Sequence, residues 1–287
     1  MDTRLSTSAI SFANLDKGQA FIARSDEYSK QLTRFDLQSK TQALFEINER
    51  DYLNNAKSFV RSWSPDEERY LADILIEIDQ QFSDLGISVT LPDEIVLVKT
   101  SGQEEGGANG YTRSNVIYLN QDSLSRDLLI HEIYHIISRF NPKIRSLAYA
   151  TLGFKECSPI EYFDSYQITN PDALYLSHSI RVTHADREHD VALIIRSEQD
   201  YEGGSFFSYV NKRLLVLGTQ ENENGPEILR FDQVHGLFEQ IGRNTAYNIH
   251  QEEVCAVHFS FLLNGTDGLP DQNLVVALGD VLCGDTV

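Results

Sequence analysis

The chain has 287 residues, of which 41% are hydrophobic and 10% aromatic, enough apolar surface for one large core or two ordinary ones and too much for a disordered chain. Acidic residues outnumber basic ones, 43 against 24, for a formal charge of −19. That surface argues against binding a phosphate backbone or docking on anionic lipid heads, both of which depend on Lys and Arg.

The three cysteines, Cys157, Cys255 and Cys283, include no Cys-x-x-Cys pair, which excludes a disulfide framework, a thiolate zinc knuckle and a thioredoxin-type redox site. No window approaches the roughly 18 uninterrupted apolar residues that span a bilayer. Residues 1–13 lack the basic start and apolar block of a secretory signal. The expectation is a cytoplasmic protein with neither nucleic-acid nor membrane partners.

Up to about Gly86 the pattern is helical, and residues 1–87 are expected to form an N-terminal helical region. Its clearest element starts at Ser64-Pro65-Asp66-Glu67, where Ser64 and Glu67 form a capping box and Pro65 suits the first helical position. Tyr70, Leu71, Ile74, Leu75, Ile78 and Phe82 then recur with helical period. Residues 44–60 are a weaker amphipathic candidate. Past Gly86 the period changes: residues 95–98 and 116–119 are short β-branched runs that read as strands. The glycine-rich stretch 102–110 between them lacks the Gly-Lys-Ser/Thr ending of a phosphate loop and reads as a mobile connection. A helix is expected over 123–140, stopped by Asn141-Pro142. Residues 147–231 read as strand-rich, with strands at 191–195, 206–210 and 214–217. Helical pattern returns at 233–241, 249–263 and 272–282. Asn170-Pro171-Asp172 reads as a turn. His178, His184, His189, His235 and His258 read as surface or core residues, and Cys255 as a small core residue.

The helix at 123–140 contains His131-Glu132-Ile133-Tyr134-His135. Residues four apart share one helical face, so both imidazoles can reach one metal ion, and Glu132 lies beside it. The neighbours Leu128, Leu129, Ile130, Ile133, Ile136 and Ile137 are apolar. Two histidines and a glutamate buried among them are costly unless paired or bound to metal.

A strand, a loop, a strand over 114–120 and then a helix bearing His131, Glu132 and His135 together resemble the zincin metallopeptidases. The resemblance covers roughly residues 90–140 and a second helix. It implies an α+β fold with a mixed sheet and an active-site helix, here residues 88–287 with an insertion at 147–231. It further implies Zn²⁺ held by His131 and His135, Glu132 as general base, and residues 114–120 as the edge strand that aligns a peptide or protein substrate.

Such a site needs a third protein ligand. The segment 247–256 enters an apolar helix running to Leu263 and is similar to the gluzincin branch, in which a glutamate on a second helix completes the site. Helical phase favours Glu253, with Glu252 and His250 as rivals. Thermolysin-like enzymes carry an Asp four residues after that glutamate. Here the position is Val257, so a carboxylate orienting a histidine has to come from elsewhere. Tyr247 is a candidate donor to an oxyanion. The expected activity is zinc-dependent hydrolysis of peptide bonds. A zincin fold that binds peptides without cleaving them, and a metal-free interaction module, are the alternatives.

Overall fold

The computed structural model describes residues 3–160, 164–218 and 226–284. It is an α+β protein with one mixed and one antiparallel sheet. In chain order the elements are β1 (Arg4–Leu5), β2 (Ser8–Phe12), α1 (Leu15–Ile22), α2 (Glu27–Gln31), α3 (Arg34–Thr41), α4 (Glu49–Ala56), β3 (Val60–Arg61), α5 (Pro65–Leu85), β4 (Glu94–Thr100), β5 (Gly110–Arg113), β6 (Val116–Asn120), α6 (Arg126–Phe140) and α7 (Pro142–Thr151). There follow β7 (Lys155–Glu156), β8 (His178–His184), β9 (Arg187–Arg196), β10 (Asn211–Val216), β11 (Ile228–Leu229), α8 (Phe238–Ile241), α9 (Gln251–Leu263) and α10 (Gln272–Cys283).

The mixed sheet has the order β1-β2-β4-β6-β5, with β3 pairing on β4 as well. Strands β2, β4 and β6 are parallel, and β5 runs antiparallel to β6 at the edge. Strand β4 is apolar at successive positions because both its faces are covered. Ile95 and Leu97 pack with residues of α5, α6 and α9, whereas Val96 and Val98 pack with Ile22 of α1 and Ala56 of α4. Helix α5 carries the expected capping box and ends at Gly86, whose φ of 71° is the left-handed conformation that closes a helix without steric cost to glycine. Its buried stripe is Leu71, Ile74, Leu75, Ile78 and Phe82, while Tyr70 stays exposed.

The second sheet, β11-β10-β9-β8-β7, is antiparallel throughout and lies within the strand-rich span. Residues 161–163 and 219–225 of that span lie outside the described residues. No described helix is long and apolar enough to cross a membrane.

Several expectations are corrected. The first 87 residues are helical in the main, yet β2 and β3 both join β4, because short two-to-five-residue strands leave too little periodicity to read. The segment 44–60 yields only α4, a 3-10 turn at Lys57–Phe59 and the start of β3. The edge strand is β5 rather than 114–120. Ser114, at φ 55°, turns the chain back so that β6 is flanked by β4 and β5, and Tyr111 stacks on Tyr118 with ring centroids 4.6 Å apart. The glycine-rich stretch is anchored rather than mobile. Glu104 and Glu105 are buried there, and Glu105 accepts hydrogen bonds from Tyr28 and Tyr52 at 2.6 and 2.7 Å while pairing with Lys40 at 2.6 Å.

Pro142 starts a helix as well as ending one, since a missing N–H costs nothing at a first helical position. The strand-rich span therefore begins after α7. Residues 206–209 form a 3-10 turn in place of a strand. The helix expected at 233–241 contracts to α8.

Candidate metal centre

Helix α6 begins where Ser125 accepts a hydrogen bond from the Leu128 N–H, and it packs against α9 through Tyr134 and Phe259, whose rings lie 5.6 Å apart. On the opposed faces, His131 and His135 bring their rings to 4.8 Å. The carboxylate of Glu253, 2% exposed, reaches both. Its Oε2 lies 3.0 Å from His131 Nε2 and 3.6 Å from His135 Nε2. Its Oε1 accepts a 2.7 Å hydrogen bond from the Asn170 side chain, which leaves Oε2 directed at the imidazoles.

Glu252 is turned the other way. It accepts from His135 Nδ1 at 2.9 Å, from Ser138 at 2.7 Å and from Tyr149 at 2.5 Å. A carboxylate only accepts, so Nδ1 carries the hydrogen of this bond, and Nε2 is the ring nitrogen that faces Glu253. Glu252 thus orients His135, the place Val257 leaves unfilled. His250 caps α9, its Nδ1 accepting from the Glu252 N–H at 3.1 Å, and stands outside the cluster that gathers His131, His135 and Glu253.

Glu132 faces the cleft floor. It is 2% exposed, and its Oε2 has no hydrogen-bond partner. Burial, followed by the negative charges of Asp172 and Glu253, pushes its carboxyl well above the usual range. Burial alone would lower His135, but Asp172 and Glu253 outweigh it and raise the imidazole. Burial alone would raise Glu253, yet His135 and His131 hold it well below the ordinary carboxylate range.

No family model matches the chain, and no curated protein or solved structure matches it either.

The donor set suits a zinc-like ion. Imidazole nitrogen and carboxylate oxygen are ordinary zinc donors, and bonds of 2.0–2.1 Å at tetrahedral angles put donors about 3.3 Å apart. The separations of 3.0 and 3.6 Å bracket that value. His135 Nε2 is buried and makes no hydrogen bond, an arrangement that costs free energy unless another partner takes it up.

Two residues read as a plain turn belong to this centre. Asn170 holds Glu253, and a carboxylate oxygen of Asp172 lies within 4.8 Å of donor atoms of both Glu132 and His135. Nothing local in the sequence could have marked them, because a loop of the strand-rich span carries them to α6.

A cleft of about 570 Å³ opens beside His131 and Glu132, lined by Gly110, Leu128, Phe261 and Tyr247. Tyr247 is half-exposed at its rim, with its ring 6.2 Å from that of His131. Gly110 leaves room for that carboxylate: a Cβ at this position would come within 2.6 Å of Glu132 Oε1 and displace it. A larger cavity of about 700 Å³, between residues 30–34, 159–160 and 164–176, touches Asn170 and His250 but neither His131 nor His135.

Proposed function

We propose that this chain is a zinc-dependent hydrolase with a zincin-like fold, a metallopeptidase acting on peptide or protein substrates. The observation that carries the reading is the meeting of His131, His135 and Glu253 on two helices, with Glu132 unpartnered and buried beside them at the wall of a cleft. His131 Nε2, His135 Nε2 and Glu253 would hold the ion. Zinc, when bound, supplies a Lewis acid that polarises a carbonyl and lowers the pKa of water at the open position.

The remaining work falls to side chains. Glu132 takes the proton of the attacking water and passes it to the leaving amine. Glu252 and Asn170 hold His135 and Glu253 in place. Tyr247 makes no hydrogen bond to a described residue through its hydroxyl and lines the cleft, positioned to donate to an oxyanion. The edge of β5 at Gly110 offers backbone groups to a peptide laid along it, the Thr112 N–H being taken by Asp172.

The test is metal analysis followed by turnover. Purified protein should retain one zinc per chain and lose thermal stability to chelators, and Glu132→Gln should keep the zinc while losing cleavage of a peptide library. Zinc without turnover in the wild type would leave a peptide-binding protein. Absence of stoichiometric zinc, with melting indifferent to chelators, would leave an interaction module.

A further inference from the structure

The larger cavity, of about 700 Å³, falls within the range of about 300–1,000 Å³ that small-molecule sites occupy, and its frame is fastened on both sides. The Thr33 hydroxyl, at the head of α3, donates to the Gln167 carbonyl at 2.7 Å, and the Thr169 hydroxyl donates to the Gln31 carbonyl at 3.3 Å. The Ile168 N–H donates to the Ile195 carbonyl of β9 at 2.9 Å, and the Ile160 N–H to the Leu176 carbonyl at 2.7 Å. The loop carrying residues 164–176 is thus tied both to the α2–α3 corner and to the second sheet, and the space between them is preformed.

Much of the wall is apolar. Leu193 and Ile195 of β9 are buried, while Leu32, Leu174, Leu176 and Ile249 are only half-buried, with the cavity beside them. Covering such surface is what drives an apolar ligand out of water. The charge of the lining is opposite to that of the chain. Among the described residues, Lys30, Arg34 and Asp164 are the charged side chains that line it. Asp164 is engaged by Arg196 at 2.6 Å. Lys30 and Arg34 are exposed, and neither forms a salt bridge with a described residue. On a chain of formal charge −19, the two uncommitted charges at this cavity are both positive. An anion is drawn here and repelled by the surface at large.

We propose that this cavity binds a small amphiphilic carboxylate, its apolar body against Leu174, Leu176, Leu193 and Ile249 and its charge at Lys30 and Arg34. The site is separate from the cleft beside His131 and Glu132, and no step of the zinc chemistry depends on it. Asn170 stands between the two, lining the cavity and donating to Glu253 Oε1 at 2.7 Å.

The test is calorimetric titration of the full chain with decanoate, decanol and decyltrimethylammonium, which share an apolar body and differ in charge. Decanoate should bind saturably, one per chain, about 5- to 30-fold more tightly than decanol, with the margin shrinking as salt is added. Lys30→Gln combined with Arg34→Gln should bring decanoate down to the level of decanol and leave decanol unchanged. Leu174→Glu, at a half-buried position, should weaken both, while circular dichroism and melting report that each variant is folded. N-acetyl-Leu-Leu puts the same charge on a peptide, so the tighter binder of it and decanoate tells whether a peptide C-terminus or a fatty acid is the source. Binding of decyltrimethylammonium as tight as that of decanoate would mark attachment to the acidic surface and overturn the inference. So would decanoate binding that is absent, unsaturable or indifferent to either set of substitutions. None of these results bears on the zinc centre, which metal analysis tests by itself.

Discussion

Replacing Glu252 separates its role from that of its neighbour Glu253. Its carboxylate, 1% exposed, accepts from His135 Nδ1, Ser138 and Tyr149 at 2.9, 2.7 and 2.5 Å. Glu252→Gln keeps the volume and one carbonyl acceptor but removes the charge that fixes the His135 tautomer. Loss of such an outer partner costs about 10- to 100-fold in metal affinity, or about 1.4–2.7 kcal/mol. Glu252→Ala also strands three buried donors at about 1–3 kcal/mol each. Because they can share bonds among themselves after relaxation, the net destabilisation expected is about 3–5 kcal/mol. Zinc affinity would be read by competition with a fluorescent chelator, and stability by urea denaturation of the zinc-free proteins. Glu253→Ala should instead abolish zinc retention, since it deletes a donor. The assignment is refuted if Glu252→Gln binds zinc as the wild type does, or if Glu252→Ala abolishes retention while Glu253→Ala preserves it.

Other predictions follow from the same geometry. Gly110→Ala drives a Cβ toward Glu132 Oε1; turnover should fall at least tenfold with zinc stoichiometry unchanged, and unchanged turnover would remove the close approach from the mechanism. Burial raises the Glu104 carboxyl from 4.5 to about 7. The folded state therefore keeps a proton that the unfolded chain loses, and stability should fall between about pH 4.5 and 7, by about 3 kcal/mol at about 1.4 kcal/mol per pH unit. Urea titrations of Glu104→Gln against wild type should show the gap widening over that window. Burial lowers His258 from 6.5 to about 4, with its Nε2 accepting from Asn244 at 3.1 Å. The unfolded chain then takes up a proton first, so stability should fall on acidification from pH 6.5 to 4, and His258→Asn should flatten that limb. Phe259→Ala, at the junction of Phe82 and Tyr134, should cost about 3–5 kcal/mol in denaturant unfolding.

The sequence itself determined the elements whose signals are local. The capping box at Ser64 and Glu67, the closing Gly86, the two-sided apolar run of β4 and the buried α6 all stand where their patterns put them. So does the spacing that sets His131 and His135 on one helical face. What it could not decide depends on how distant segments meet. Glu252 and Glu253 are adjacent on α9 and so point about 100° apart. Which of them faces the Nε2 atoms of both histidines, and which holds Nδ1 of His135 from behind, is settled only by the rotation of α9 against α6, which the packing of Phe259 on Tyr134 accompanies. The edge position of β5 depends on the reversal at Ser114. The anchoring of 102–110 depends on Tyr28, Lys40 and Tyr52, brought from helices far earlier in the chain. Asp172 and Asn170 are the extreme case: as a sequence they are an ordinary turn, and only a loop of the second sheet, held by Arg139, sets them beside Glu132 and Glu253. Helical periodicity is a property of neighbours along the chain, whereas a site closed by a turn from another sheet exists only once the chain has packed.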